Sequence, residues 1–377
     1  MRTIAFEPFD LPPSAQDLRH EVRAFLSEAI PKRTARQRAE SWMGMDRVFS
    51  RKMGAHGWIG MTWPKKYGGH ERSFADRYVV IEEMLAAGAP VSFHWIADRQ
   101  SGPLLLRFGT EEQRANILPR IARGEVCFCI GMSEPGAGSD LAGVRTRARK
   151  VDGGWRVNGQ KIWTSNAHVA TYMIALVRTS EGERHAGLSQ LIIDMSSPGL
   201  TVKPIQNLTG AADFNEVFFD DVFVPDTMIV GKEGDGWRQV GAELAFERSG
   251  PERYLSSIRL LLEFLRVVGD APSESEKRFI GEVAARMWTL RQMSLAITGK
   301  IIAGGDPASD AAIVKDLGVS LEQDIPPAIQ ALAPSGLSDV SFEETMMYLL
   351  QSSPSFSLRG GTREILRGII ARELGLR

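Results

Sequence analysis

The chain has 377 residues, a length that suits two or three packed domains. Apolar residues make up 43% and charged residues 24%, which is the composition of a globular protein and excludes a disordered or fibrous chain. The 45 Lys and Arg residues nearly balance the 46 Asp and Glu residues, for a net charge of −1, so the sequence has no basic footprint for nucleic acid or an anionic membrane.

Two cysteines, Cys127 and Cys129, are too few for a disulfide framework, which indicates a reducing, intracellular compartment. The six histidines show no HxxxH or HExxH spacing, so we expect no metal site. The N-terminus has no apolar signal segment, and no apolar run reaches the roughly 18–20 residues that span a bilayer. We therefore expect a cytoplasmic protein without a membrane span.

Residues 1–125 are expected to form an N-terminal α-helical domain. Leu18, Val22 and Leu26 recur at helical spacing after a Ser- and Pro-rich start. The segment Thr110–Gly124 opens with a capping threonine, carries acidic residues in its first turn and ends at a glycine, which are the start and stop signals of a helix.

Residues 126–235 are expected to form a middle β domain, because short runs rich in β-branched and aromatic residues alternate with turn signals. The pairs Asp152-Gly153 and Asn158-Gly159 are typical of turns between strands. The expected strands include Val169–Val177, Leu191–Met195 and Val217–Val224.

Residues 236–377 return to helical periodicity and are expected to form a C-terminal four-helix bundle. Apolar stripes at helical spacing run through the segments Leu255–Leu265, Ile280–Leu290 and Ile365–Leu374. The fold class is therefore α+β and multidomain, in the order helical, β, helical.

The first segment that could contact a ligand is Met132–Asp140, MSEPGAGSD. Gly136 and Gly138 would let the backbone approach a ligand closely, and turn amides could face an anion or a polar ring. The pattern is neither a dinucleotide-binding fingerprint nor a Walker loop, because Leu141 replaces the third glycine and no Gly-Lys-Ser/Thr follows. A plain tight turn between strands is the alternative.

The second segment is Lys161–Ala167, KIWTSNA, which places Trp163 beside two hydroxyl groups. Such an arrangement suits a planar heteroaromatic ligand. A core tryptophan on a strand is the alternative.

The third segment contains Glu247 among apolar residues, where burial would favour the protonated form and suit a general base working near neutrality. As part of an exposed Glu247-Arg248 pair at a helix end, it would have no such role.

The fourth segment is Leu358–Arg367, where two glycines precede Thr362. Thr362 could cap the last helix, whose N-terminus could meet an anion or could need no ligand at all.

Taken together, these segments resemble the acyl-CoA dehydrogenase family over nearly the whole chain and in the family's order and spacing. The matching segments are GWIGMTWPKKYGG (Gly57–Gly69), FGTEEQRANILPRIARGE (Phe108–Glu125), GMSEPGAGSDL (Gly131–Leu141), NGQKIWTSNA (Asn158–Ala167), FNEVFFDDVFVP (Phe214–Pro225), GDGW (Gly234–Trp237) and GGTREILRGIIARELGL (Gly360–Leu376). Because several independent patterns agree, the ligand-binding interpretation of the glycine turn and of Trp163 is favoured.

The resemblance implies an enzyme that binds FAD non-covalently between the β domain and the C-terminal bundle and oxidises an acyl-CoA to the trans-2-enoyl-CoA. A carboxylate would take the α-proton while the β-hydrogen leaves as hydride to flavin N5. By position, the implied flavin-lining residues are Ile130, Met132, Ser133 and Ser139, with Trp163 packed on the ring and Thr164 and Ser165 as hydrogen-bonding neighbours. Thr362 and Glu364 are the implied contacts to the adenosine part of FAD.

The resemblance also bears on the catalytic base. Many members have a glutamate immediately before the Gly-Thr of the C-terminal segment, but this chain has Gly360 there. Other members carry the base in a Glu-Arg pair on the first helix of the C-terminal domain, which corresponds to Glu247-Arg248. We therefore assign Glu247 as the base and expect Arg248 to be structural.

Two family motifs through which a neighbouring subunit completes the FAD site are missing. Where the family has Arg-x-x-Phe-Gly, Arg266 is followed by Val-Val-Gly, and Ala333 and Pro334 replace two glycines of a later Gln-x-x-Gly-Gly-x-Gly motif. We hypothesise that the neighbour is a different, homologous chain that keeps these motifs, as in bacterial α2β2 members that degrade steroid side chains. The alternative is that other residues hold the same FAD, for instance Arg266, or Lys277 with Arg278.

The expected partners are an acyl-CoA substrate, electron-transferring flavoprotein or another electron acceptor, and further subunits of an oligomer. Two other functions stay open. One is a non-catalytic scaffold subunit that completes a partner's FAD site, and the other is a flavin oxidase or monooxygenase on the same fold. Glu247 argues against both, since a scaffold needs no such carboxylate and the oxidases often replace the base.

Overall fold

A computed structural model describes residues 4–30, 32–182, 184–247, 250–333 and 337–376, without the side chains of residues 242–249. Its helices are α1 (Pro13–Ala29), α2 (Ala35–Ala39), α3 (Arg47–Ala55), α4 (Phe74–Ala87), α5 (Ser92–Ile96), α6 (Gly102–Phe108), α7 (Glu111–Ala122), α8 (Gly236–Glu247), α9 (Ile258–Val268), α10 (Glu274–Ile302), α11 (Ala308–Leu332), α12 (Val340–Ser352) and α13 (Arg363–Glu373). One π-helical turn, Ala97–Ser101, joins α5 to α6. Its strands are β1 (Phe128–Gly131), β2 (Arg147–Val151), β3 (Gly154–Ser165), β4 (Tyr172–Arg178), β5 (Leu188–Asp194), β6 (Leu200–Ile205) and β7 (Phe214–Pro225).

The expected order of helical, β and helical segments is confirmed. The chain divides into two compact units. The helical unit consists of Met1–Met45, Arg72–Val91 and Ala245–Arg377, and the sheet unit consists of Asp46–Glu71 and Ser92–Leu244.

A buried ionic cluster joins three helices of the helical unit. Arg19 and Arg23 of α1 donate to Glu82 and Glu83 of α4, with Arg23 Nε 2.7 Å from a Glu83 oxygen. Arg291 of α10 donates to Glu82 at 2.7 Å. Because each buried carboxylate meets guanidinium groups, the charges are paired rather than stranded in the interior.

The sheet unit is built on one seven-stranded sheet in the order β1-β4-β2-β3-β7-β6, with β5 also paired to β4. Alternate residues of β3 and β7 enter its core, which includes Trp155, Val157, Val217 and Val222. The antiparallel β3–β7 ladder shifts register twice, between Val157 and Gly159 and between Lys161 and Thr164. The second shift is where the candidate site lies.

The two predicted turns of this region had different outcomes. Asp152-Gly153 does join β2 to β3, with Gly153 at a φ of 72°. The prediction for Asn158-Gly159 was wrong, because both residues lie inside β3. Gly159 is needed there for a different reason: its φ is 144°, and a Cβ would lie 2.6 Å from Thr146 Oγ1.

The expected strand Val169–Val177 also begins later than predicted, at Tyr172. Residues 166–170 turn instead, since the amides of Val169 and Ala170 both donate to Asn166 O. Asn166 has a φ of 59°, a left-handed conformation that asparagine tolerates.

Candidate active site

The loop after β1 forms a tight turn with two open glycines. Glu134 and Ala137 exchange backbone hydrogen bonds of 2.8 and 3.0 Å across it. A Cβ placed on Gly136 or Gly138 would find no atom of the described chain within 4 Å. Internal packing therefore does not explain these glycines, whereas the close approach of a ligand to the backbone would.

Trp163 lies on the outside of the sheet, in the register shift of β3. Its side chain is 58% exposed and its φ is 59°, an uncommon conformation for a bulky residue. Phe214 meets it edge to face, with ring centroids 6.4 Å apart. The alternative of a core tryptophan is wrong, and the bulge presents a flat apolar face for a ligand.

The neighbouring hydroxyl residues differ in environment. Thr164 is buried, and its Oγ1 has no hydrogen-bond partner within the described residues. Ser165 is half-buried. A buried hydroxyl without a partner marks a place where a ligand or water completes the hydrogen bonding.

The β1 segment and Trp163 belong to one surface of the sheet unit. The Ile162 amide donates to Ser133 O at 2.9 Å, which places Ser133 beside the residue that precedes Trp163. Ile130, Met132 and Ser133 are half-buried, whereas Ser139 is exposed at the far side of the glycine turn.

Sequence reasoning missed two charged residues beneath this surface. Lys161 of β3 and Glu134 are both buried, with Lys161 Nζ 2.8 Å from Glu134 Oε1. Burial lowers the pKa of Lys161 to about 8. The signal was a lysine in an otherwise strand-like run, but its partner lies 27 positions away and depends on the strand register.

Thr362 and Glu364 lie in the helical unit, at the start of α13. Thr362 is the N-cap residue, but its side chain accepts no capping hydrogen bond. The backbone amide of Glu364 and the Thr362 hydroxyl both bond the Glu364 carboxylate and lower its pKa. The Thr362 hydroxyl is therefore turned to a carboxylate rather than to the helix amides.

A buried lysine supports the turn that leads to α13. Lys315 Nζ donates to the carbonyl oxygens of Arg359 and Gly361, on either side of Gly360. Gly360 and Gly361 have φ angles of 64° and 97°. Residues with a Cβ rarely adopt these conformations, so the turn is built for glycine.

Glu247 is the last residue of α8, and its side chain lies outside the described part of the chain. Arg248 and Pro334 lie outside it as well. No helix of the described residues is long and apolar enough to cross a membrane. Within the same residues, no cluster of His, Cys, Asp and Glu could hold a metal ion.

The residues of the sheet unit fit a flavin on their own chemistry. The exposed indole offers a flat face, the open glycines leave room at the backbone, and Thr164 has a buried hydroxyl in need of a partner. Aromatic contact combined with a few fixed polar groups is typical of a cofactor site.

Comparison with known proteins identifies the family. Residues 12–125 match the acyl-CoA dehydrogenase N-terminal domain, and residues 129–222 match the acyl-CoA dehydrogenase middle domain. The acyl-CoA dehydrogenase IpdE1 of Mycobacterium tuberculosis is 35% identical over 96% of this chain and 97% of its own length.

Two solved structures are similar over the whole chain. The steroid ACAD Tcur3481-Tcur3483 is 28% identical, with a TM-score of 0.86 over 97% of this chain and 98% of that one. The ChsE4-ChsE5 complex from Mycobacterium tuberculosis is 30% identical, with a TM-score of 0.83 over 100% of both chains. This chain therefore belongs to the acyl-CoA dehydrogenase family, as an oxidoreductase with FAD as its cofactor.

Proposed function

We propose that this chain is the catalytic subunit of an acyl-CoA dehydrogenase in which Glu247 takes the α-proton of the thioester substrate. The observation that carries the proposal is the glycine at the alternative base position. Gly360 has no carboxylate, and its φ of 64° disfavours a glutamate there. Glu247, at the end of α8, is the residue that matches the family's other base position.

The roles of the other residues follow from their chemistry. When bound, FAD supplies the acceptor for the hydride that leaves the β-carbon. Trp163 would contact the ring face, and the glycine turn would leave its backbone amides free to bind polar groups. Glu247 would receive the α-proton on a carboxylate oxygen, and exclusion of water would strengthen hydrogen bonds to the thioester carbonyl.

A Glu247→Gln variant tests the base. General-base catalysis contributes typically about 10²–10⁴-fold, so we expect turnover to fall about 10³-fold while the bound FAD stays at the wild-type amount. The matched control is Glu243→Gln, one helical turn earlier on α8, which should keep its turnover. Unchanged turnover in Glu247→Gln would favour the scaffold function, and oxygen consumption without an added acceptor would favour an oxidase.

We further propose that a homologous second chain completes the FAD site. Two of the three residues that could replace the lost motifs within this chain are already engaged. Arg266 donates to Asp339 at 2.7 Å and to Glu263 at 2.8 Å, and Lys277 donates to Glu274 at 2.8 Å. ChsE4-ChsE5 is likewise named as a complex of two proteins, which supports a heteromeric arrangement here.

The helical unit also has apolar side chains exposed to solvent, which a partner chain would cover. They include Leu262, Leu265, Trp288 and Met347. The test is to express the chain alone and with a neighbouring homologue, then to measure subunit composition and bound flavin. We expect one FAD for each pair of chains, and an active, fully loaded homotetramer from this chain alone would contradict the proposal.

The proposed substrate is an acyl-CoA whose acyl group comes from a steroid, with electron-transferring flavoprotein as the acceptor. The name of the similar structure Tcur3481-Tcur3483, a steroid ACAD, supports the substrate class. Turnover with steroid side-chain CoA esters should exceed turnover with straight-chain esters of equal carbon number. Equal or higher kcat/KM for the straight chains would contradict this assignment.

A further inference from the structure

Lys161 is a fully buried lysine, and the proton and hydride transfers described above do not use it. Its ammonium group donates to Glu134 Oε1 at 2.8 Å and to Met132 O at 3.1 Å. Burying a charge is costly unless it is paired and hydrogen-bonded, so these two contacts account for its place in the interior.

Glu134 in turn fastens the start of β2. Its Oε1 accepts from the Thr146 amide at 2.9 Å, and its Oε2 accepts from the Arg145 amide at 2.6 Å. Burial alone would raise the pKa of Glu134, but the Lys161 ammonium and these hydrogen bonds outweigh burial and lower it. The group is therefore a carboxylate at neutral pH and stays paired with Lys161.

The stem of Lys161 passes close to the end of β1. A Cβ on Gly131 would lie 3.3 Å from Lys161 Cγ and 2.5 Å from Met173 Sδ. Because residue 131 is a glycine, the Lys161 side chain can pass close to the backbone of β1. Its amine then reaches the carbonyl of the following residue, Met132.

The contact with Met132 fixes the direction of one peptide group. In a planar trans peptide, the carbonyl of one residue and the amide of the next point in opposite directions. Since the Met132 carbonyl is turned to the buried Lys161, the Ser133 amide is turned away from it. Within the described residues this amide has no hydrogen-bond acceptor.

The same strand positions the aromatic face of the site. Ile162, which follows Lys161, donates its amide to Ser133 O at 2.9 Å, and the exposed Trp163 comes next. One buried side chain and one backbone bond thus constrain both the Met132–Ser133 peptide and the strand segment that carries the exposed indole.

We propose that Lys161 is a positioning residue of the flavin site, which directs the Ser133 amide outward as a hydrogen-bond donor to the polar edge of the flavin ring. The proposal rests on the FAD site inferred above and adds to it a residue that touches neither cofactor nor substrate. A donor at that edge stabilises the negative charge that the ring gains on reduction. Lys161 should therefore affect both FAD affinity and the flavin midpoint potential.

The test is Lys161→Met in the flavin-loaded protein, with its co-expressed partner if the complex requires one. We expect FAD to bind at least tenfold more weakly. We also expect the two-electron midpoint potential to become more negative by about 30 mV, which is a tenfold change in the equilibrium constant for flavin reduction. The matched control is Lys300→Met, which removes a lysine paired with Asp310 at 2.6 Å in the helical unit. The control should leave both quantities at wild-type values.

The midpoint potential separates positioning from general stability. If Lys161→Met lowers the melting temperature but keeps the wild-type FAD affinity and potential, Lys161 is merely structural and the proposal is wrong. Should that variant fail to fold, Lys161→Met with Glu134→Gln removes both charges, and the same two measurements decide. Neither measurement depends on turnover. The role of Lys161 can therefore be tested even if Glu247 is not the catalytic base.

Discussion

The guanidinium of Arg359 lies 3.0 Å from Glu322 Oε2, and the Glu322 side chain is completely buried. Glu322 Oε1 also accepts from the Ser256 amide at 2.7 Å. Arg359 stacks on Phe356 and Trp42, at 4.3 and 4.6 Å from the ring centroids. This pair connects α11 to the turn that carries Gly360 and Gly361.

Removing both members of the pair should cost less stability than the two single losses added together. We expect Arg359→Met to lower the free energy of unfolding by about 3–5 kcal/mol, because it leaves a buried carboxylate without the guanidinium that is hydrogen-bonded to it. The double variant Arg359→Met with Glu322→Gln should lose less than the sum of the two single variants. Urea unfolding of all four proteins gives the coupling, and additive losses would contradict it.

His94 should make the protein sensitive to acid. Burial lowers its pKa to about 4, against the opposing charge of Asp98, and Ser50 Oγ lies 2.8 Å from its Nδ1. The ring is neutral in the folded chain, whereas an unfolded histidine binds a proton below about pH 6.5. The stability from His94 is therefore present above pH 6.5 and lost as the pH falls towards 4.

Urea unfolding of the wild type and of His94→Gln at pH 7.5 and pH 5 measures this effect. We expect the wild type to lose about 2 kcal/mol more than the variant between these pH values. Equal losses in the two proteins would show that His94 does not control the acid sensitivity.

Alanine substitutions at two glycines of the C-terminal segment should change the stability of the protein in opposite directions. Gly360→Ala should destabilise the protein by about 1 kcal/mol, because alanine is strained at a φ of 64°. Gly368 lies within α13, and a Cβ there would meet no atom of the described residues within 4 Å, apart from the backbone of its own helix. Gly368→Ala should therefore stabilise the protein by roughly 0.5–1 kcal/mol, as thermal unfolding can establish.

Alanine substitutions of Trp163 and Trp155 should affect different properties, FAD binding in the first case and folding stability in the second. Trp163→Ala should change the unfolding free energy of the apoprotein by less than about 1 kcal/mol, since 58% of the side chain is exposed. It should weaken FAD binding at least tenfold, measured by flavin fluorescence titration. Trp155 is 3% exposed, so Trp155→Ala should cost about 3–5 kcal/mol. Unchanged FAD affinity in Trp163→Ala would show that the Trp163 indole does not contribute to the cofactor site.

Local signals in the sequence predicted the elements whose causes are themselves local. Thr110 caps α7 and forms a capping box with Gln113, three residues away. Asp152-Gly153 makes the expected hairpin because both flanking strands are adjacent in the chain. The order of domains could be predicted for the same reason, since helical and strand periodicities span only a few residues.

Features that depend on distant contacts could not be predicted in this way. Asn158-Gly159 has the sequence of a turn, but Thr146 lies where a Cβ would be, and the chain continues as a strand. The exposure of Trp163 depends on a register shift against β7. The Lys161–Glu134 pair depends on the same ladder geometry, which no spacing along the chain specifies.

The division of the chain into two units has a consequence for biosynthesis. The sheet unit ends at Leu244, whereas the helical unit combines Met1–Met45 and Arg72–Val91 with Ala245–Arg377. During translation, α4 therefore emerges more than 150 residues before α9 and α10, which pack against it, so part of its surface is still uncovered. At roughly 5–20 residues per second, that delay lasts many seconds, an interval in which ribosome-associated chaperones would shield that surface.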